Sequence, residues 1–169
     1  MTAIATVRNS RREPGDDFWG ATISEIVLAE GVPEGAFVGI ESFSHLEIIY
    51  YFNQVGEGKP QVGEGKPQVG EGKPQVGVAK PAWSRRPRGN PAWPEMGIFA
   101  QRNKDRPNSI GLTTVELLEH NGRVIKVRWL DAIDGTPVLD IKPVFREFMP
   151  KGDTRQPEWV GELTKDYWK

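Results

Sequence analysis

Leu112-Thr113-Thr114-Val115-Glu116-Leu117-Leu118-Glu119-His120-Asn121-Gly122-Arg123-Val124-Ile125-Lys126-Val127-Arg128-Trp129 decides the fold class. On the first arm Val115 and Leu117 alternate with Glu116, and on the second Ile125, Val127 and Trp129 alternate with Lys126 and Arg128. Apolar residues at every second position bury one face of a strand and leave the other wet. Asn121-Gly122 supplies the primed turn such arms need, because its residues accept positive φ at low cost. The segment predicts a β-hairpin.

Outward from the hairpin the chain continues to read as strands. Ala3 to Arg8 and Trp19 to Ala29 are rich in apolar and β-branched residues, and Ala36 to Ile40 and Gly97 to Gln101 read as shorter strands. Leu46 to Phe52 (Leu-Glu-Ile-Ile-Tyr-Tyr-Phe) is dense enough for a central strand. Helix signals are rare. Pro157 suits a first helical position, and Trp159, Leu163 and Tyr167 recur at four-residue spacing near the C-terminus. Many strands, many turns and one late helix predict an all-β, single-domain β-barrel with a short C-terminal helix. The barrel is expected over 1–148 and a C-terminal extension over 149–169.

A seven-residue repeat interrupts this pattern. Gln-Val-Gly-Glu-Gly-Lys-Pro fills 54–60, 61–67 and 68–74, and a decayed copy follows at 75–81. Each perfect unit has one apolar residue, two Gly and one Pro. No a/d seam forms from that, and a Pro every seventh residue stops a helix. Residues 54–81 are expected to be a long low-complexity loop insertion, closing between fixed elements at modest entropic cost.

Composition bounds the function. At 169 residues the chain is long enough for one core, with six Trp, seven Phe and three Tyr to fill it. Its 22 basic and 23 acidic residues leave a net charge of −1, so a nucleic-acid partner must meet a local patch rather than a general field. There is no cysteine. Disulfides, thiolate metal sites and cysteine nucleophiles are thereby excluded, and a reducing cytoplasm is suited. No metal site is expected. Met1 to Arg12 has no apolar core of a signal peptide, and no stretch approaches the ~20 apolar residues of a membrane span, so a soluble, cytoplasmic protein without membrane contact is expected.

Two segments carry polar chemistry beyond ordinary strand sequence. In the first, Gly97 to Leu112, a strand runs into a turn with cationic Arg102, Lys104 and Arg106, a rigid Pro107 and a permissive Gly111. In the second, Leu130 to Pro143, three carboxylates (Asp131, Asp134 and Asp140) follow a strand end within ten residues. Taken singly each reads as turn chemistry, with Asp capping backbone amides. Together they exceed what a plain barrel requires.

Phe99-Ala100-x-Arg102-x-x-x-Arg106-Pro107-Asn108-x-Ile110-Gly111, followed by Asp131-x-x-Asp134-Gly135-Thr136-Pro137-Val138-Leu139-Asp140-Ile141-Lys142-Pro143, resembles the signature of the TsaA-like family. The likeness is strong over 94–148 and good over 36–52, loose over the first 28 residues and absent from the repeat; Ser109 stands where the family usually has Pro. The resemblance implies a β-barrel that binds S-adenosyl-L-methionine near a homodimer interface. It also implies methyl transfer to the exocyclic nitrogen of threonylcarbamoyladenosine beside a tRNA anticodon. A dinucleotide-type fold is not implied, and no Gly-x-Gly-x-x-Gly turn occurs after the first strand. Cofactor contacts are implied for Arg12, Glu13, Pro14, Phe52, Asn53, Arg102, Leu112, Asp131, Ala132, Ile133 and Asp134.

The residue types suit that ligand. Arg102 has the donor fork for a carboxylate, Leu112 and Ile133 suit adenine, and carboxylates or the Phe52 ring suit a sulfonium. His45 and the aspartates are the candidate bases for the acceptor proton. Arg85, Arg86 and Arg88, between Trp83 and Trp93, suit the phosphates and unstacked bases of an anticodon loop. Arg106 and Arg88 are the candidate cations for the threonylcarbamoyl carboxylate. Longer family members carry a C-terminal domain for which this chain has only about twenty further residues. Two other readings stay open: methyl transfer to another RNA base or a small molecule, and a non-catalytic barrel that binds RNA or cofactor.

Overall fold

The computed structural model describes residues 2–54 and 83–169. The repeat, apart from Gln54, and the loop expected there lie outside the described residues.

Among the described residues eight strands form: β1 Ala5–Arg8, β2 Ile23–Leu28, β3 His45–Tyr51, β4 Ser84–Arg85, β5 Met96–Gly97, β6 Ile110–Asn121, β7 Val124–Arg128 and β8 Pro137–Pro143. Six of them close a barrel in the order β1-β2-β7-β6-β3-β8, and β4 and β5 pair separately. Every neighbouring pair is antiparallel. Closure leaves the barrel itself no free sheet edge. The inward set follows the period of two: Ser24, Ile26 and Leu28 on β2, Leu46, Ile48 and Tyr50 on β3, and Ile125 and Val127 on β7 are all buried.

The strand reading holds for β1, β3 and the hairpin, with four local differences. The residues of Ala36–Ile40 fall in or beside two 3₁₀ turns, Glu34–Phe37 and Ile40–Ser42, rather than a strand. Pro33 opens the first of these and Gly39 (φ 83°) opens the second, and the amides make local i→i+3 bonds such as Ala36 N to Pro33 O at 3.0 Å. Of Gly97–Gln101 only Gly97 is in a strand, and Ile98–Ala100 is a 3₁₀ turn. Residues 19–22 turn before β2, with Phe18 at φ 65° and Thr22 N bonded to Trp19 O. In the hairpin the two loop residues are Gly122 and Arg123, and positive φ falls on Gly122 alone, as in a II′ turn.

Pro137–Pro143 is strand β8, where the sequence reading saw a polar turn. Its pairing to β3 steps from Ile49↔Asp140 to Tyr50↔Val138, which leaves Leu139 as an extra residue. A second step, between Leu117 and Glu119, interrupts the β6–β7 ladder. Such bulges bend strands around a small barrel. The helix, α1, spans Glu158–Thr164 with Pro157 just before it. It is short and superficial, held by the Trp93–Trp159 ring pair (6.4 Å) and by Trp93 Nε1 donating to Glu162 (3.0 Å).

Candidate active site at one mouth of the barrel

Strand directions divide the connections between two mouths. One mouth receives the ends of β1, β3 and β7 and the starts of β2, β6 and β8, so residues 9–22, 52–54 and 129–136 emerge there and 109 leads back into it. The other carries the hairpin turn and residues 29–44. Arg12, Glu13, Pro14, Phe52, Asn53, Arg102, Leu112 and Asp131–Asp134 all belong to the first mouth. His45 starts β3 and so lies at the second, with Ser44 Oγ 2.9 Å from its Nδ1. The structure does not bring His45 to the others.

Asp131 is the centre of the first mouth. Tyr50, the last inward residue of β3, donates its hydroxyl to Asp131 Oδ1 at 2.8 Å. Thr113, inward on β6, donates to the same oxygen. Tyr167, from the chain after α1, donates to Oδ2. Burial, then the Asp131 charge, pushes the Tyr50 and Tyr167 hydroxyls well above the ordinary tyrosine value, so both remain neutral donors. Arg102 and Arg88 lie near enough to pull the other way on Tyr167. Phe52 packs edge-on against Tyr50 with centroids 5.3 Å apart.

The chain reverses sharply here because Trp129 takes φ 69°, which turns Leu130 inward, fully buried, and leaves Asp131 at the rim. The turn is then fastened to the end of β1. Asn9 Nδ2 donates to Ala132 O (2.8 Å) and Ser24 Oγ (2.9 Å), and Asn9 N donates to Asp134 Oδ1 (3.1 Å). Asp134 N donates to Arg11 O (2.8 Å), and the exposed Arg12 guanidinium pairs with Asp134. The 12–14 and 131–134 positions are thus in contact through the Arg12–Asp134 pair. Arg102 donates to the carbonyl of Leu112, whose side chain is 41% exposed. Ala132 and Ile133 are largely buried.

The basic residues at 85–106 are less free than their sequence suggests. Arg85 pairs with Asp105, and Arg86 donates to the carbonyls of Pro91 and Trp93. Arg88 grips both oxygens of Asp17 at 2.8 Å, which raises its own pKa. Arg106 donates to the carbonyls of Ile98 (3.1 Å) and Gln101 (2.7 Å) and lies over the Phe99 ring. Beside it Trp83 (64% exposed) and Phe99 (73%) form an edge-on pair at 6.2 Å. Tyr50, Thr113, Tyr167 and Asn9 were not singled out for the site by the sequence. A tyrosine at the last inward position of a strand, opposite a glycine, is the signal that could have found the first. No sequence signal points Tyr167 toward Asp131.

Comparison with known proteins agrees with this architecture. The family model for the tRNA-methyltransferase O N-terminal domain matches residues 14–149, and the chain belongs to that family. An S-adenosyl-L-methionine-binding protein of Archaeoglobus fulgidus is 58% identical over 48 residues, 28% of this chain and 34% of that protein. The tRNA (adenine(37)-N6)-methyltransferase of Escherichia coli is 40% identical over 120 residues, 66% of this chain and 41% of the relative. The human protein of the same name is 33% identical over 125 residues, 74% of this chain and 23% of the relative. The chain thus spans less than half the length of these relatives. The crystal structure of TrmO from Pseudomonas aeruginosa superposes with a TM-score of 0.62 at 24% identity, covering 91% of this chain and 59% of that one, and shares its fold. Among the described residues no helix is long and apolar enough to cross a membrane.

Proposed function

We propose that this barrel is an S-adenosyl-L-methionine-dependent methyltransferase that acts on the exocyclic nitrogen of threonylcarbamoyladenosine beside a tRNA anticodon. The observation that carries the reading is the convergence on one mouth of Phe52 and Arg102 from the chain between β3 and β6, Leu112 from β6 itself, and the 131–134 turn between β7 and β8. The names of the relatives support the cofactor and the substrate class.

The residues present fit such a cofactor. Exposed Leu112 and half-buried Phe52 offer apolar cover, Arg102 offers a guanidinium for a carboxylate, and Asp131 offers a negative charge for a cation. Trp19 Nε1 is buried at this mouth without an acceptor among the described residues. Bound there, the cofactor supplies an electrophilic methyl group on a sulfonium. The protein's task is to hold the acceptor nitrogen in line with that methyl group and to exclude water. Asp131 is the carboxylate nearest the centre and the candidate to take the acceptor proton in place of the remote His45. Trp83 and Phe99, with Arg106 beside them, form the surface for unstacked bases, while Arg85, Arg86 and Arg88 stiffen the loop that carries it. The working unit is a cytoplasmic homodimer that shares its cofactor site, so sedimentation should give about twice the 18.9 kDa monomer mass.

Transfer of labelled methyl groups from S-adenosylmethionine to total tRNA, followed by nucleoside analysis, tests the reading. Label in threonylcarbamoyladenosine supports it. Label in another nucleoside moves the acceptor, and tight cofactor binding without label leaves a binding barrel.

A further inference from the structure

The last residues of the chain form a strap across the candidate site. Phe18 N donates to Asp166 O (3.1 Å) and Trp19 N to Tyr167 O (2.8 Å), so 166–167 pair with the loop between β1 and β2. Gly20 lies so close beneath the strap that a Cβ there would overlap the carbonyl of Trp168. Fastened this way, the strap carries the Tyr167 hydroxyl to Asp131 Oδ2, the oxygen that neither Tyr50 nor Thr113 occupies. Residues 166–168 lie beyond residue 149, where the family match ends.

We infer that Tyr167 is a positioning residue of the cofactor site and that the strap is a working wall of it. The inference rests on the reading of this mouth as the cofactor site. A carboxylate held on one oxygen by barrel hydroxyls can still rotate its other oxygen. A third donor from a separate segment fixes its plane, and with it the 131–134 turn. Removing that donor frees the plane and makes the cofactor order it on binding, at a cost in affinity. Unseating the strap from beneath should do the same without touching Tyr167 or Asp131.

The test is calorimetric titration of the full chain with S-adenosylmethionine in wild type, Tyr167→Phe, Gly20→Ala and the double variant, with melting temperatures of the ligand-free proteins alongside. Each single variant should raise Kd about tenfold, the size of one lost hydrogen bond to a charged group. The double variant should be no weaker than the weaker single, because both changes act through one contact. Trypsin should also cut faster after Lys165 in both singles. Single-variant Kd values within twofold of wild type, with only the melting temperature lowered, overturn the inference and leave the strap merely structural. So does a double variant weakened multiplicatively. A wild type that binds no cofactor overturns the function and this inference together, and is distinguished from the other outcomes by the blank wild-type titration.

Discussion

Replacing Gly111 by Ala should unsettle the whole mouth from one methyl group. Gly111 faces Tyr50 across the β3–β6 ladder and has no positive φ, so its backbone does not require glycine. What requires it is space. A Cβ at 111 would lie closer than 3.0 Å to Cε2, Cζ and Oη of Tyr50, a separation real Cβ atoms essentially never show. The ring is 1% exposed and enclosed by the core, so it has no easy direction of retreat. Overpacking of this kind costs about 1–3 kcal/mol. Displacing the ring also breaks the 2.8 Å bond from its hydroxyl to Asp131, and bonds to charged groups contribute about 1.5–3 kcal/mol. A loss of about 3–5 kcal/mol is expected in urea unfolding, or roughly 10 °C in melting temperature. The control is the same change in a Tyr50→Leu background. With no ring to strike, Gly111→Ala should there be neutral or favourable by up to about 1 kcal/mol, since alanine loses less entropy than glycine on folding. A loss under about 1 kcal/mol in the wild-type background, or the same loss in both backgrounds, would refute the steric argument.

Alkaline unfolding should be steep. With folded-state values raised by burial and by Asp131 above the ordinary tyrosine value, Tyr50 and Tyr167 contribute stability that is complete below about pH 10 and lost as pH rises beyond it, because only the unfolded chain then releases their protons. Two such groups give a slope of about 2.7 kcal/mol per pH unit near pH 11, and Tyr167→Phe should halve the tyrosine share, as denaturant titrations at several pH values will measure. The 131–134 turn has two fastenings of unequal strength. Arg12→Ala removes an ion pair whose arginine is 75% exposed and should change stability by less than about 1 kcal/mol in urea unfolding. Asn9→Ala strips partners from Ser24 and Ala132 O and should cost about 1–3 kcal/mol in the same assay; equal effects would contradict the burial argument.

The hairpin and β3 were legible because their inward residues keep the period of two through most of their length. β8 was not. Its core-directed residues, Val138 and Ile141, are three apart, a spacing that no strand pattern allows until the extra Leu139 is known. Polar Asp140 and Lys142 completed the disguise by pairing with each other on the outer surface. The barrel order was equally hidden, since β1, the first strand, closes onto β8, the last, and nothing local encodes that pairing. In the site, Arg102 and the Asp131–Asp134 turn were visible as motif residues. Tyr50 was hidden inside an apolar run, and Gly111 was credited with conformational freedom when its use is to leave room for a ring. Tyr167 sits 36 residues from Asp131 and read as one face of a helix that in fact ends at Thr164.

The two mouths differ in how their polar groups are placed. The buried polar side chains of the barrel strands and their flanks are Ser24, Thr113 and Thr136, and all three lie at the mouth that holds Asp131. A hydroxyl inside an apolar barrel costs free energy unless it finds a partner. Ser24 finds Asn9, and Thr113 and the Tyr50 hydroxyl find Asp131. The opposite mouth is closed by buried Phe37 packed edge-on against His120, whose Nδ1 lies 3.3 Å from the exposed Glu41 carboxylate. One end of the barrel is thus sealed by an aromatic plug, while the other is lined with donors already aimed at a carboxylate. A polar substrate that had to shed its water would be met by fixed hydroxyl dipoles at the second. The glycine at 111 and the tyrosine at 50 are the local sequence choices that keep that end open to polar chemistry, and the closed sheet holds them in register.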